Sequence, residues 1–365
     1  MPFFATQPPP ARRRPNLPAR PAWSWSWRLC FLAALLSVDA AQAQQQQFAE
    51  LGQCPLESGE VIEDCRLEYR TFGELRGNGE NAVLFPTWFS GAAENLMEYA
   101  GEKGPLDPKQ HFVILVGAFG NGHSSSPSNS KQQPGAAFPR YTIRDMVRSQ
   151  YRLLTEKLGI DRLHAVMGIS MGGMQTFEWT VSYPNFMRRA IPIVGSPRLG
   201  SYDLLLWRTQ LNAIEEALQA YENPTEERRA GMRIAAGIHS LALTSPSRFN
   251  SETERAQIEK YMAEREADLI RRYDPYDWAS QLRAMIGHDV AAPFEGSMDK
   301  AVAAVRARVM VISAAEDHMV TPGPSFEFAK LNGAEVVLLE SPCGHLAPGC
   351  EQDKVNTAIR RFLAE

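Results

Sequence analysis

Ser170 stands between two glycines in Gly168-Ile169-Ser170-Met171-Gly172. This G-x-S-x-G run could present a serine hydroxyl for attack on an acyl carbon. The geometric part of that reading lies in the flanks. Residues 164–167 form a short apolar segment of strand type, and from Met174 apolar residues recur at helical spacing until Pro184. The serine would sit at the tip of a sharp strand-to-helix turn, with glycines where the turn leaves no room for a Cβ. There the N–H of Met171 and the positive end of the helix dipole would face negative charge forming beside the hydroxyl. A Gly-rich connection without chemistry is the alternative.

A serine hydroxyl is a weak nucleophile near neutral pH, so it needs a base within hydrogen-bond reach and a carboxylate to orient that base. On a parallel sheet carrying this turn, the chain order is Ser, then Asp or Glu, then His. Asp317 follows the apolar run 309–313, and His345 follows the run 336–339 in Pro342-Cys343-Gly344-His345. Of the other histidines, His111, His123 and His164 precede Ser170, His239 and His288 fall in a helical stretch, and His318 adjoins Asp317 too closely to be oriented by it. Glu316 competes with Asp317 for the carboxylate role. A second oxyanion donor is expected from the loop after an early strand, here "FPTWFSGAAEN", near Phe89, to act with Met171.

These residues need a sheet to converge. Apolar runs at 82–85, 112–116, 165–168, 190–194, 309–313 and 336–339 alternate with helical patterns, which implies parallel strands joined by crossovers and covered on both faces. Earlier, "VIEDCRLEYRTFGEL" alternates like an antiparallel hairpin arm, and residues 44–47 read as a solvated tail. Thr142-Ile143-Arg144-Asp145 is a capping-box type helix start, with Gly159 as the stop. From about 199 to 300 no strand is legible. Helical spacing at Leu204, Trp207, Leu211, Ile214 and Leu218 makes this a helical cap over the sheet's C-terminal edge, in which Trp207 and Trp278 are expected to pack.

Residues 1–43 have the pattern of a cleavable secretory signal. Five arginines precede an apolar run at 29–38, and Ala41-Gln42-Ala43 offers small residues for cleavage after Ala43. That run is about half the length needed to span a bilayer. The leader carries five Arg and one Asp, so its removal makes a chain of formal net charge −4 more acidic still. Nucleic acid and anionic lipid are therefore poor partners. The expected location is the periplasm or outside the cell.

Four cysteines then remain, Cys54, Cys65, Cys343 and Cys350, an even number suited to an oxidising compartment. Three pairings exist, and the close spacings favour Cys54 with Cys65 and Cys343 with Cys350. No zinc spacing is present, and "GAFGNGHSSSPSN" lacks the Gly-Lys-Ser/Thr ending of a phosphate loop. No metal and no cofactor is expected. The oligomeric state, a homodimer included, is left open.

"NAVLFPTWFSG", "FPRYTIRDMVRSQYRLLTEKLGIDRLHAVMGISMGGMQTFEWTVSYPNFMRRAIPIVGSPR" and the late "AEDHMVTP … CGH" together resemble the homoserine O-acetyltransferase group of the α/β-hydrolase superfamily. The resemblance covers most of 81–363 and thins in the cap. It implies an α/β-hydrolase fold, Ser170 as the acylated nucleophile, His345 as base, Asp317 as its partner, and the amides of Phe89 and Met171 as the oxyanion hole.

Two departures bear on substrate. Where the resemblance implies an acidic residue directly after the catalytic histidine, to hold an amino group, this chain has Leu346. Where it implies a cap arginine for a carboxylate, the chain offers Ala236, with Arg233 close by. An amino acid's two charges, buried without partners, would cost several kcal/mol. The expectation is thus an exported serine hydrolase acting on an ester of a small, fairly apolar molecule. An acyltransferase passing the acyl group to an alcohol, and a non-catalytic binding module, are the competing readings.

Overall fold

The computed structural model describes residues 45–101, 103–220 and 230–365. The expected signal segment, residues 1–43, lies outside them. Eight strands make one sheet: β1 (Gln47–Pro55), β2 (Val61–Phe72), β3 (Ala82–Pro86), β4 (Phe112–Val116), β5 (Leu163–Ile169), β6 (Met187–Ile193), β7 (Arg308–Ala314) and β8 (Glu335–Leu339). Their order is β1-β2-β4-β3-β5-β6-β7-β8. β1, β2 and β4 pair antiparallel, and the strands from β4 across to β8 pair parallel.

Alternate residues of the central strands feed two separate cores. Leu84, Ile114, Val166, Ala190 and Val311 point to one face, and Val83, Phe85, Val113, Met167, Ile191 and Ile312 to the other. Burial on both faces is why these strands read as unbroken apolar runs rather than as alternation. β2, at the antiparallel end, keeps the alternating pattern.

One expectation fails here. The Gln-rich start is not a tail: Gln47 opens β1, and the Gln46 Nε2 donates to Glu68 at 2.9 Å. Ala49, Leu51 and Cys54 bury the inner face of β1, while two register shifts around Gly52 obscure its period. The Cys54–Cys65 disulfide, with Cα atoms 5.7 Å apart, ties β1 to β2 across that irregular stretch.

Helix α1 (Ile143–Arg152) starts at the expected capping box. Thr142 accepts from the Asp145 N–H, and the Asp145 carboxylate accepts from the Thr142 N–H. It continues through a wider turn over Leu153–Lys157 to Gly159, whose φ is +64°. α2 (Met171–Ser182) follows Ser170 and is buried along nearly its whole length. Its polar residues are accordingly all paired: Gln175 with Gln150 and the Thr87 carbonyl, Glu178 with Arg144 at 2.7 Å.

Between β6 and β7 the chain forms α3 (Ser201–Ala220), α4 (Ala230–Leu243), α5 (Pro246–Glu252), α6 (Ile258–Arg272) and α7 (Pro275–Ile286), then α8 (Met298–Ala304). The first five fall within the stretch read as a cap. α8 packs instead on α2 and on α9 (Gly323–Asn332), so it belongs to the layer beside the sheet. After β8 come α10 (Ala347–Cys350) and α11 (Gln352–Ala364), the latter burying Val355, Ile359, Phe362 and Leu363 against the second face. No helix among the described residues is long and apolar enough to cross a membrane.

Candidate active site

Ser170 occupies the turn between β5 and α2 at φ 57°, ψ −120°, a conformation L-residues rarely adopt. The sequence forces the turn by removing side chains around it. A Cβ on Gly168 would lie 2.1 Å from the Gly172 carbonyl oxygen, and one on Gly172 would lie 2.5 Å from that of Pro86. The hydroxyl is thereby lifted to the C-terminal edge of the sheet.

Asp317 follows β7 and His345 follows β8, and the fold brings both to Ser170. His345 Nε2 lies 2.8 Å from Ser170 Oγ, and His345 Nδ1 lies 2.7 Å from Asp317 Oδ2. All three residues are buried, at 8%, 7% and 3% exposure for Ser170, His345 and Asp317. The other carboxylate oxygen of Asp317 accepts from the N–H groups of Met319 and Val320 at 2.8 and 2.9 Å, so the side chain cannot rotate away. Glu316, the competing carboxylate, is exposed. In this arrangement a hydroxyl can lose its proton to an imidazole whose tautomer is fixed from behind.

Of the two expected oxyanion donors, Met171 directly follows Ser170 and Phe89 lines the same cavity. Met171 opens α2, where first-turn N–H groups have no intrahelical acceptor. The N–H of Phe89 has no protein acceptor among the described residues, and the Phe89 side chain lines the cavity above Ser170. What sequence reasoning missed is how the Phe89 loop is held. The carbonyl of Thr87 accepts from Gln175, the N–H of Ser90 donates to Gln281 at 2.6 Å, the carbonyl of Gly91 accepts from Asn121, and the N–H of Ala93 donates to the fully buried Glu68. Ser90 itself has φ 58°. A loop fastened at four peptide groups keeps its donors aimed before substrate arrives, the condition under which such donors act most strongly.

Gln281 comes from cap helix α7 and also donates to the Phe119 carbonyl at 2.7 Å. Replacing it with leucine, of similar bulk, strands the Ser90 N–H, at a cost of about 1–3 kcal/mol, while the Phe119 carbonyl keeps the Tyr141 hydroxyl as a donor at 3.1 Å. The expected result for Gln281→Leu is a folded protein whose kcat falls roughly tenfold or more with little change in KM. Steady-state kinetics checks it, and an unchanged kcat would show that the other three bonds suffice.

The His345 loop is clamped twice. Cys343 and Cys350 form a disulfide across it, with Cα atoms 6.5 Å apart. Cap residues close on it from above, where the Ser245 hydroxyl donates to the Pro342 carbonyl at 2.6 Å and Arg248 Nη1 approaches Cys343 Sγ at 2.8 Å. Gly344, at φ +61°, permits this approach, because a Cβ there would sit 2.9 Å from the Ser245 nitrogen. A third cap residue reaches the acid loop, where Asp203 of α3 accepts from the N–H and hydroxyl of Thr321, both at 3.0 Å. Replacing Cys343 and Cys350 together by serine should destabilise the fold by about 2.5 kcal/mol, read from denaturant midpoints. It should also lower kcat more than it alters KM. Unchanged kcat would assign His345 placement to the cap contacts alone.

Above Ser170 lies a cavity of about 540 Å³, lined by Trp88, Phe89, Tyr99, Trp207, Met319 and Leu346 among others. Trp207, expected to pack, both packs and lines it. Leu346, 45% exposed, puts an apolar side chain on the cavity wall beside His345. Ala236 is buried and faces a smaller neighbouring space shared with Ser90 and His239. No group of three or more His, Cys, Asp or Glu side chains that could hold a metal ion occurs among the described residues.

The sequence model of the alpha/beta hydrolase fold family matches residues 77–348. Ethyl acetate hydrolase of Pseudomonas veronii is 32% identical over 311 residues, taking in 82% of this chain and 89% of that protein. A homoserine O-acetyltransferase of Thermobifida fusca is 30% identical over 353 residues, taking in 85% and 91% respectively. Among solved structures, an acetylester hydrolase from Corynebacterium glutamicum superposes with a TM-score of 0.81 at 28% identity, covering 89% of this chain and 98% of that one.

Proposed function

Because the chain belongs to the α/β-hydrolase fold family and is an esterase-like enzyme of it, we propose that it is an exported serine esterase that cleaves small, fairly apolar acyl esters through Ser170, His345 and Asp317. The observation that carries the reading is the unbroken line from Ser170 Oγ to His345 Nε2 and from His345 Nδ1 to Asp317 Oδ2, at 2.8 and 2.7 Å.

His345 Nε2 takes the hydroxyl proton as Ser170 Oγ attacks the ester carbonyl carbon. Negative charge moves to the carbonyl oxygen, between the N–H groups of Phe89 and Met171. Asp317 stabilises the imidazolium, which returns its proton to the departing alkoxide. Water then repeats the sequence on the acyl-enzyme and releases the acid.

Homoserine O-acetyltransferases share the scaffold, so the second acceptor must be argued. Leu346 on the cavity wall and Ala236 in the cap supply no charge for an amino acid's ammonium or carboxylate. The leader pattern at 1–43 and the two disulfides suit an exported protein, away from cytosolic acyl-CoA. Similarity to an ethyl acetate hydrolase and an acetylester hydrolase favours short acyl chains.

The test is a screen of the purified protein over p-nitrophenyl esters of rising chain length, repeated with alcohol acceptors and acyl-CoA donors. Fastest turnover on the shortest chains, with water outcompeting added alcohols, is expected. Acyl transfer faster than hydrolysis would replace the esterase reading with the acyltransferase one.

A further inference from the structure

Cap helix α4 places one imidazole in the cavity that the triad does not use. His239 lines the space above Ser170, and neither of its ring nitrogens meets a hydrogen-bond partner among the described residues. Its ring lies within an aromatic cage, with centroids 5.4 Å from Trp278, 6.2 Å from Phe89 and 6.3 Å from Trp207. Nδ1 is buried, which leaves Nε2 as the nitrogen able to reach a bound molecule.

The indole N–H groups of Trp207 and Trp278, in the same cage, are also buried without partners. A polar group so placed loses its water and gains nothing in return, a penalty that native proteins seldom tolerate without a reason. Packing alone gives no such reason, since leucine or phenylalanine would fill this apolar wall without the penalty.

From this arrangement we infer that His239 is a specificity-determining residue, which hydrogen-bonds a hydroxyl or keto oxygen in the part of the ester remote from the reacting carbonyl. The inference rests on the esterase reading above and narrows its substrate class, from plain alkyl esters to short esters carrying one further uncharged oxygen. An uncharged group suits the site because His239 brings no full charge to balance an ionised one. Burial, and then the neighbouring His345, push its pKa down to about 4. It therefore remains a neutral donor or acceptor near neutral pH, and it is not a second base.

The experiment compares 2-hydroxyethyl acetate and acetoxyacetone with propyl acetate, an alkyl ester of similar size, on the wild-type protein and on His239→Leu and His239→Gln. In the wild type, kcat/KM should favour the oxygenated esters by roughly tenfold or more, because a site built to hydrogen-bond an oxygen penalises its absence. His239→Leu should erase that preference, raising KM for the oxygenated esters by roughly tenfold more than for propyl acetate. His239→Gln, with an amide near the position of Nε2, should restore part of it.

A wild-type protein with no preference would overturn the inference without recourse to any variant, and leave the esterase reading intact. So would a His239→Leu variant that loses activity equally on all three esters. Hydrolysis of none of them by the wild type would sink the esterase reading itself.

Discussion

Ser170→Ala is expected to lower kcat by about a million-fold, the scale on which a triad serine acts in concert with its partners. The methyl group keeps the Cβ that the backbone already carries at φ 57°, so the turn should keep its strain and the fold its stability. What disappears is the oxygen held 2.8 Å from His345 Nε2. Residual turnover would come from the cavity and the Phe89 and Met171 amides acting on bulk water. Labelling by a fluorophosphonate should vanish with the activity. A well-folded variant retaining more than about a thousandth of wild-type kcat would falsify the assignment of Ser170 as nucleophile, as that exceeds what the remaining machinery supplies.

Asp317→Asn should cost about 10⁴-fold in kcat with almost no change in stability. The two backbone N–H groups of Met319 and Val320 decide how the new amide sits. They donate to Oδ1 in the native protein, so they will hold the amide oxygen there and turn the NH₂ toward His345 Nδ1. That nitrogen must then accept, and the proton moves to Nε2, facing Ser170 with nothing left to receive the serine's proton. The prediction thus concerns the tautomer rather than the loss of a charge. Kinetics on the variant, with a nitrogen-15 NMR spectrum of the histidine ring, reads both parts. Near-normal kcat with Nδ1 still protonated would remove Asp317 from the mechanism.

Much of this site is legible in the sequence. A sheet buried on both faces writes itself as short apolar runs, and the residues just beyond three of those runs, Ser170, Asp317 and His345, meet at its edge. Local spacing also pointed to the disulfide pairs, because short loops leave little choice of geometry. β1 was hidden because its alternation starts inside a glutamine run and is broken twice at Gly52. The fastening of the Phe89 loop left no trace at all. Ser90 and Gln281 lie 191 positions apart, and a buried side-chain amide that bonds to backbone has no periodic signature. His239 was set aside as one histidine among several in the cap, since sequence cannot distinguish an imidazole that faces a cavity from one that faces solvent.

The helices above Ser170 are stitched to each moving part of the reaction: Gln281 to the Phe89 loop, Asp203 to the acid loop, Ser245 to the histidine loop. A roof fastened in this way cannot swing clear without dismantling what it shelters. The same stitching constrains descent with modification. A lineage cannot borrow another's roof wholesale, because the graft would arrive without its three threads. New diets must instead come by single replacements on the inward wall, each tested while the seams still hold.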